Sequence, residues 1–209
     1  MKLYEFAPAP NPRRVRMFLA EKGITTENIQ VDIPSGEQLG EEHRKRNPTL
    51  DLPVLELDDG THIHQVNAIC RYLEETHPDN PLFGRTAIER AKVEAWNHQI
   101  VLNGLMAVAE AYRNSAEMFK DRAIPGPHNY PQSPELAERG FMRMPNFYND
   151  MEKHFSSNQY VVGDYFSIAD ITAYITIDFA KWVKQSIPDT HTHLQRWYDQ
   201  ITARPSSAA

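Results

Sequence analysis

The sequence predicts a mixed α/β domain, expected over residues 1–78, followed by an all-helical domain. Two observations support this division. Runs with the alternation and composition typical of β-strands occur only in the first part of the chain. Past residue 86 these strand signals stop, and apolar residues recur at helical spacing behind helix-capping signals. We therefore expect an α+β domain joined to a helical bundle.

The first domain begins with a predicted β-α-β unit. Strands are expected at 2–6 and 28–33. Between them lies a helix that Asn11 can cap, that has Pro12 in its first turn and that Gly23 can end. Its apolar stripe indicates that one face packs on the sheet.

A β-hairpin and a second helix complete this domain. Residues 53–57 and 61–64 have strand character, and the Asp-Asp-Gly sequence at 58–60 is a turn signal. A helix is expected from about residue 65 to 75, ended by Pro78. The expected order of elements is β-α-β-β-β-α.

The helical domain is expected over 86–205, after a linker at 79–85 and before a short tail at 206–209. Capping boxes at Thr86–Glu89 and Ser167–Asp170 mark the starts of two helices. We interpret Asp170 as part of a folding cap rather than as a catalytic carboxylate.

Prolines shape the prediction for the middle of this domain. Residues 124–134 hold four prolines and a glycine, which favours a surface loop. Ser133 and Pro134 open a helix that we expect to bend or break at Pro145.

Composition excludes several classes of partner. A net charge of −6 provides no basic surface for nucleic acid. No run of about 18 apolar residues is present, so no membrane span is expected. The single cysteine, Cys70, cannot form an internal disulfide, which fits a cytoplasmic location.

Neither Cys70 nor the histidines indicate a reactive or metal site. Cys70 lies in the apolar run of a helix and is expected to be a buried core thiol. The pairs His62 with His64 and His191 with His193 lack accompanying carboxylates or cysteines, so no metal is expected.

Four passages carry a family resemblance in their order and intervals. They are Arg14-Val15-Arg16 with Leu19–Gly23, Asn47-Pro48 with Leu52–Leu55, Asn67–Ile69 with Arg71–Leu73, and Ser167–Asp170. Together they resemble the cytosolic glutathione transferase superfamily over nearly the whole chain. The resemblance implies a thioredoxin-like domain joined to a helical bundle, a homodimer, and glutathione as substrate.

The resemblance implies a glutathione site at two turns of the first domain. Pro53 matches the family's cis-proline, which would leave the N–H and C=O of Leu52 free for the cysteinyl part of the ligand. Gln65 and Val66 fall at a helix start, where free N–H groups favour the γ-glutamyl carboxylate. The alternatives are a proline that only begins a strand and a valine that only packs.

Two further positions concern the glycyl carboxylate of glutathione. Gln38 falls where some members place a polar or basic residue, and Asp51 falls where some place lysine. A solvated loop explains either residue as well.

The reactive position departs from the family. Ala9 stands where members carry serine or cysteine, and the absence of Cys-x-x-Cys excludes disulfide exchange by two protein thiols. Asn11 is then the best side-chain donor to the thiolate, with capping alone as its alternative. Tyr4 is the second candidate, with packing in the sheet as its alternative.

An apolar electrophile is expected to bind between the domains. Met106, Tyr112 and Trp182 are the candidate pocket residues, and packing in the bundle core is the alternative for each. The predicted function is conjugation of the glutathione thiolate to such an electrophile. The open alternatives are a non-catalytic binding module of the same fold and a glutathione-dependent isomerase or peroxidase.

Overall fold

The computed structural model describes residues 1–209, and it has a four-stranded sheet with helices followed by helices alone. The predicted fold class is therefore confirmed. The elements of the first part are β1 (Lys2–Glu5), α1 (Pro10–Lys22), β2 (Glu27–Gln30), α2 (Glu41–Arg46), β3 (Val54–Glu56), β4 (His62–His64) and α3 (Val66–Thr76).

The helical part comprises five α-helices. They are α4 (Ala87–Ile100), α5 (Met106–Ser115), α6 (Pro134–Phe155), α7 (Ile168–Ala180) and α8 (Thr192–Thr202). A π-helical turn at Val101–Leu105 joins α4 to α5. None of these helices has the length and apolar character needed to cross a membrane.

The sheet order is β2-β1-β3-β4, with β1 and β2 parallel and the other pairs antiparallel. The second strand is shorter than predicted and ends at Gln30, because β1 ends at Glu5 and offers no further partner beyond the bond from Val31 N–H to Glu5 O. The hairpin between β3 and β4 forms as predicted, with Gly60 at a φ of 86° in its turn.

The two faces of the sheet pack differently. On one face Leu3 and Leu55 join the main core with Phe18 of α1 and Ile69 of α3. That core continues without a break into the helical part. On the other face Tyr4, Val31 and Val54 form a small separate cluster.

Two proline predictions have different outcomes. The Leu52–Pro53 peptide bond is cis, as the resemblance implies. α6 continues through Pro145 without ending, so the expected break is absent. Burial of Met144 and Phe147 on its core side holds the helix together across the missing N–H.

Candidate functional site

The start of α1 offers an unusually small number of backbone donors. Its N-cap is Ala9, whose φ of −71° and ψ of 142° are extended and whose side chain cannot cap. Pro10 and Pro12 have no N–H. The N–H of Arg13 donates to Ala9 O at 3.3 Å. The backbone N–H of Asn11 is therefore the one free donor of this first turn.

Asn11 does not cap the helix, because it already lies in the first turn. Its side-chain Oδ1 instead accepts a hydrogen bond from Arg14 Nη1 at 3.2 Å. Asn11 is exposed, and its Nδ2 amide group makes no hydrogen bond within the protein. The expected capping role is wrong, and two donors on one residue remain available at the helix start.

Tyr4 lies on the opposite face of the sheet from α1. Its hydroxyl donates to Glu56 Oε2 at 2.8 Å, and the Arg46 guanidinium lies 4.3 Å from the centre of its ring. Tyr4 is 7% exposed, packed with Val54. This geometry agrees with the packing alternative for Tyr4 and leaves its hydroxyl engaged.

Leu52 presents the free backbone edge that the resemblance implies. Neither its N–H nor its C=O forms a hydrogen bond within the protein. The residue is half-buried beside the small cluster formed by Tyr4, Val31 and Val54. Unpaired backbone groups near a core are uncommon, so this edge is suited to an extended ligand.

Gln65 occupies the N-cap of α3 in a strained conformation. Its φ of 73° with ψ of 128° lies outside the regions that a residue with a Cβ prefers. The Gln65 amide donates to Asp51 Oδ2 at 2.9 Å, which holds the side chain against the loop before β3. Strain of about 1–3 kcal/mol that surrounding contacts maintain is typical of ligand-binding positions.

Asp51 has a different role from the one considered from the sequence. Its Oδ1 accepts from Asn47 Nδ2 at 2.6 Å and from Thr49 Oγ1 at 2.9 Å, while Oδ2 accepts from Gln65. Asp51 therefore joins the loop before Leu52 to the start of α3. The sequence did not reveal this contact, because the two residues are 14 positions apart and no local pattern relates them.

Val66 and Gln38 complete the set of predicted binding residues. Val66 is 6% exposed and packs in the main core, so its side chain has the apolar role, while the first-turn N–H groups of α3 lack helical partners. Gln38 lies in a short 3₁₀ turn at Glu37–Leu39, and its Oε1 is buried without a hydrogen-bond partner.

An aromatic cluster lies beside α7, the helix that contacts α1. Arg13 Nη1 donates to Asp178 Oδ2 at 2.6 Å, and the next residue of α7 is Phe179. The centre of the Tyr112 ring lies 5.6 Å from that of Phe179 and 5.4 Å from that of Trp182. These edge-to-face contacts leave Trp182 46% exposed, so the cluster presents an open apolar surface.

The candidate pocket residues are only partly brought together. Tyr112 also contacts Phe119 and donates to Met118 Sδ at 3.6 Å, whereas Met106 lies about 120° around α5 from Tyr112. Phe179 is 7% exposed, and its position in an apolar helical run predicted only core packing.

Other reactive groups lie outside this site. Burial raises the pKa of the Cys70 thiol to about 12, so it is not a nucleophile at neutral pH. No group of three or more His, Cys, Asp or Glu side chains is arranged to hold a metal ion.

Comparison with known proteins gives consistent similarities. Residues 9–76 match the model of the glutathione S-transferase N-terminal domain, and residues 131–209 match that of the C-terminal domain. Glutathione S-transferase 2 of Saccharomyces cerevisiae is 30% identical over 99% of this chain and 87% of its own length. A solved glutathione S-transferase domain-containing protein of Marinobacter aquaeolei VT8 is 36% identical, with 99% of each chain covered and a TM-score of 0.89. A probable elongation factor 1-gamma 1 of Arabidopsis thaliana is 28% identical over 85% of this chain and 42% of its own length.

Proposed function

Because the chain belongs to the glutathione transferase superfamily, we propose that it conjugates the thiolate of glutathione to an apolar electrophile. The observation that carries this proposal is the free backbone edge of Leu52. The preceding residue, Asp51, accepts a hydrogen bond from Gln65 and so places this edge beside the start of α3. An extended peptide with a carboxylate at one end is complementary to that pair of features.

Glutathione would bind along these residues in a defined direction. Its cysteinyl N–H and C=O pair with Leu52, and its γ-glutamyl carboxylate accepts from the N–H groups at Gln65 and Val66. The glycyl end extends toward the turn that carries Gln38. This orientation directs the thiol toward the start of α1.

Asn11 would stabilise the thiolate. The thiol of a free cysteine has a pKa of about 8.5, and each unit by which a site lowers it requires about 1.4 kcal/mol of differential stabilisation. The Asn11 backbone N–H and Nδ2 group, at the positive end of the α1 dipole, provide donors for that purpose. Tyr4 has no part in this step, because its hydroxyl donates to Glu56.

The electrophile would bind on the aromatic cluster of Tyr112, Phe179 and Trp182, one residue from the contact between α1 and α7. Binding there would bring the reacting carbon close to the thiolate, and such proximity contributes to rate enhancement. Superfamily membership also supports a homodimer in the cytoplasm, with glutathione consumed as substrate and no metal required.

A second candidate, a binding module without catalysis, is favoured by one observation. The first turn of α1 lacks a hydroxyl at Ala9 and lacks backbone donors at Pro10 and Pro12. A likeness to a probable elongation factor 1-gamma, of which this chain matches 42%, is consistent with a domain of this kind within a larger protein.

Calorimetry with glutathione and a conjugation assay with 1-chloro-2,4-dinitrobenzene distinguish the transferase from the binding module. We expect binding and a conjugation rate well above that in buffer, falling about tenfold in Asn11→Ala as the thiol pKa rises one unit. Asn146→Ala, on the exposed side of α6, is the matched control. Binding together with a rate equal to that in buffer would establish the binding module instead.

A further inference from the structure

Arg14 is a buried cation with no carboxylate partner. The side chain belongs to a residue that is 4% exposed, and no Asp or Glu oxygen lies within 4 Å of it. Burial lowers the pKa of the Arg14 guanidinium to about 10, so it remains charged at neutral pH. A buried charge without a charged partner is costly, so the neutral groups that hydrogen-bond to the Arg14 guanidinium must offset part of that cost.

Several carboxylates on the surrounding elements are engaged by other cations. They form the pairs Asp178 with Arg13 and Lys181, Glu5 with Arg16, Glu21 with Arg204, and Glu74 with Lys22. The Cys70 thiol of α3 contributes no negative charge, because burial raises its pKa to about 12. Arg14 is therefore held by neutral groups alone.

Thr172 of α7 is the anchor of this guanidinium. Its Oγ1 accepts from Arg14 Nε at 3.2 Å and from Nη2 at 2.9 Å. The acceptors within reach of the Thr172 hydroxyl proton are Asn97 Oδ1 at 2.6 Å and Ile168 O at 3.1 Å, so the oxygen lone pairs are left for Arg14. Asn97 in turn donates to Asn67 Oδ1 at 3.0 Å. The network thus connects α1, α7, α4 and α3.

The remaining arm of Arg14 reaches the candidate site. Nη1 donates to Asn11 Oδ1, and because a guanidinium has donors only, the oxygen of the Asn11 amide must face it. The Nδ2 group is then turned away from the buried side of α1. A charge-assisted bond to the amide oxygen also makes the amide N–H a stronger donor.

We propose that Arg14 is a positioning residue, set in place by Thr172, that fixes the Asn11 amide as the donor to the glutathione thiolate. This inference rests on the proposed function, in which the thiol lies at the start of α1. A positioning role for Arg14 differs from a purely structural one. A contact that only held α1 against α7 would affect the stability of the protein but not the ionisation of the bound thiol.

Thr172→Val tests the proposal without altering any group in contact with glutathione. The substitution keeps the shape and removes the oxygen that holds Arg14. Thr176→Val is the matched control, because it deletes an equally buried hydroxyl one turn along α7 whose bond is to Thr172 O. The readouts are the ultraviolet absorbance of bound thiolate against pH and the Kd for S-methylglutathione, which has no ionisable thiol.

We expect Thr172→Val to raise the pKa of the bound thiol by about one unit. At a fixed pH below the wild-type pKa, the thiolate fraction should therefore fall about tenfold. The Kd for S-methylglutathione should stay unchanged, and Thr176→Val should titrate as the wild type does. Combined with Asn11→Ala, Thr172→Val should produce no additional shift, because its effect passes through Asn11.

Arg14→Lys keeps the charge and removes the forked geometry, and it should shift the thiol pKa in the same direction as Thr172→Val. A folded Thr172→Val or Arg14→Lys protein with the wild-type thiol pKa would overturn the inference. An additional shift on top of Asn11→Ala would do the same. Failure of the wild type to bind S-methylglutathione would instead overturn the proposed function.

Discussion

Ala9 occupies the N-cap of α1 with the extended backbone that serine normally adopts at such a position. Ala9→Ser is therefore accommodated without strain and adds a donor beside the proposed thiol. We expect the conjugation rate to rise about tenfold if the thiol pKa falls one unit. Without glutathione, the serine oxygen can also accept from the free Asn11 N–H and should stabilise the protein by about 1 kcal/mol.

Ala7→Ser adds the same hydroxyl two residues earlier, at an exposed position, and serves as the control. Steady-state rates and thermal unfolding of both variants are the measurements. A stabilised Ala9→Ser protein with an unchanged rate would place the thiol away from the N-cap.

Gln65 illustrates how strain and binding are connected at one residue. Gln65→Ala removes the amide that donates to Asp51, and we expect glutathione binding to weaken by about 1–2 kcal/mol, as for loss of a polar partner of a charged group. Gln65→Gly should weaken binding similarly while relieving the backbone strain at a φ of 73°.

Calorimetric Kd values test this prediction. Gln195→Ala is the control, because the Gln195 amide also donates to an aspartate, Asp199, at 2.8 Å on the exposed surface of α8. Equal Kd values for Gln65→Ala and the wild type would show that the ligand does not reach α3.

At the scale of elements, Asp170 holds the start of α7 against its neighbours. Its carboxylate accepts from Val161 N–H at 2.9 Å, Ser167 N–H at 3.0 Å and Trp197 Nε1 at 3.0 Å. Asp170→Ala leaves these buried donors without partners and should lower the free energy of unfolding by about 3 kcal/mol. Asp164→Ala, at an exposed position, should change it by less than about 0.5 kcal/mol. Denaturant unfolding measures both.

The same residue predicts a pH dependence. Burial raises the pKa of the Asp170 carboxyl from 3.8 to about 6, so the folded protein binds this proton more tightly than the unfolded chain does. Relative to Asp170→Asn, the wild type should therefore gain stability as the pH falls from about 7 to 4. The difference in unfolding free energy between the two proteins, followed against pH, measures this gain. If the wild type instead lost stability relative to Asp170→Asn as the pH fell, the raised pKa of Asp170 would be contradicted.

The π-helical turn between α4 and α5 brings Gly104 close to neighbouring helices. A Cβ at Gly104 would lie 2.8 Å from the Phe147 ring and 3.0 Å from Thr176 Cγ2. Gly104→Ala should therefore cost about 1–3 kcal/mol in unfolding free energy. Asn103→Ala, exposed in the same turn, is the control. Unaltered stability of Gly104→Ala would mean that α6 moves freely against this turn.

Which elements were predictable depends on the range of the interactions that form them. The hairpin, both capping boxes and α1 were predicted from turn, capping and proline or glycine signals close in sequence, and all are present. α2 was missed because its sequence, Glu-Glu-His-Arg-Lys-Arg, shows no apolar periodicity and buries only His43. The contact of Gln65 with Asp51 and the place of Phe179 depend on tertiary packing, which local patterns do not encode.

At the scale of the whole molecule, one continuous core joins the sheet to the helical bundle. Phe18 of α1 is fully buried, and its ring meets that of Phe83 edge to face at 6.0 Å. All three tryptophans, Trp96, Trp182 and Trp197, lie in the helical part. Tryptophan fluorescence therefore reports on that part alone.

Phe18→Ala should lower the unfolding free energy by about 3–5 kcal/mol, through a change made in the first domain. Because the core is shared, we expect the fluorescence midpoint to fall as far as the circular dichroism midpoint. A fluorescence midpoint that stays at the wild-type value would mean that the two parts unfold separately.

The prolines that flank Asn11 affect how the start of α1 can evolve. Where a backbone N–H stabilises an anion, the donor persists through any substitution except one to proline. At the start of α1, Pro10 and Pro12 remove such donors, and in the proposed function the Asn11 side chain takes over part of their role. In the proposed function, a substitution at this single position would therefore change the strength of thiol activation by about tenfold without removing the binding site.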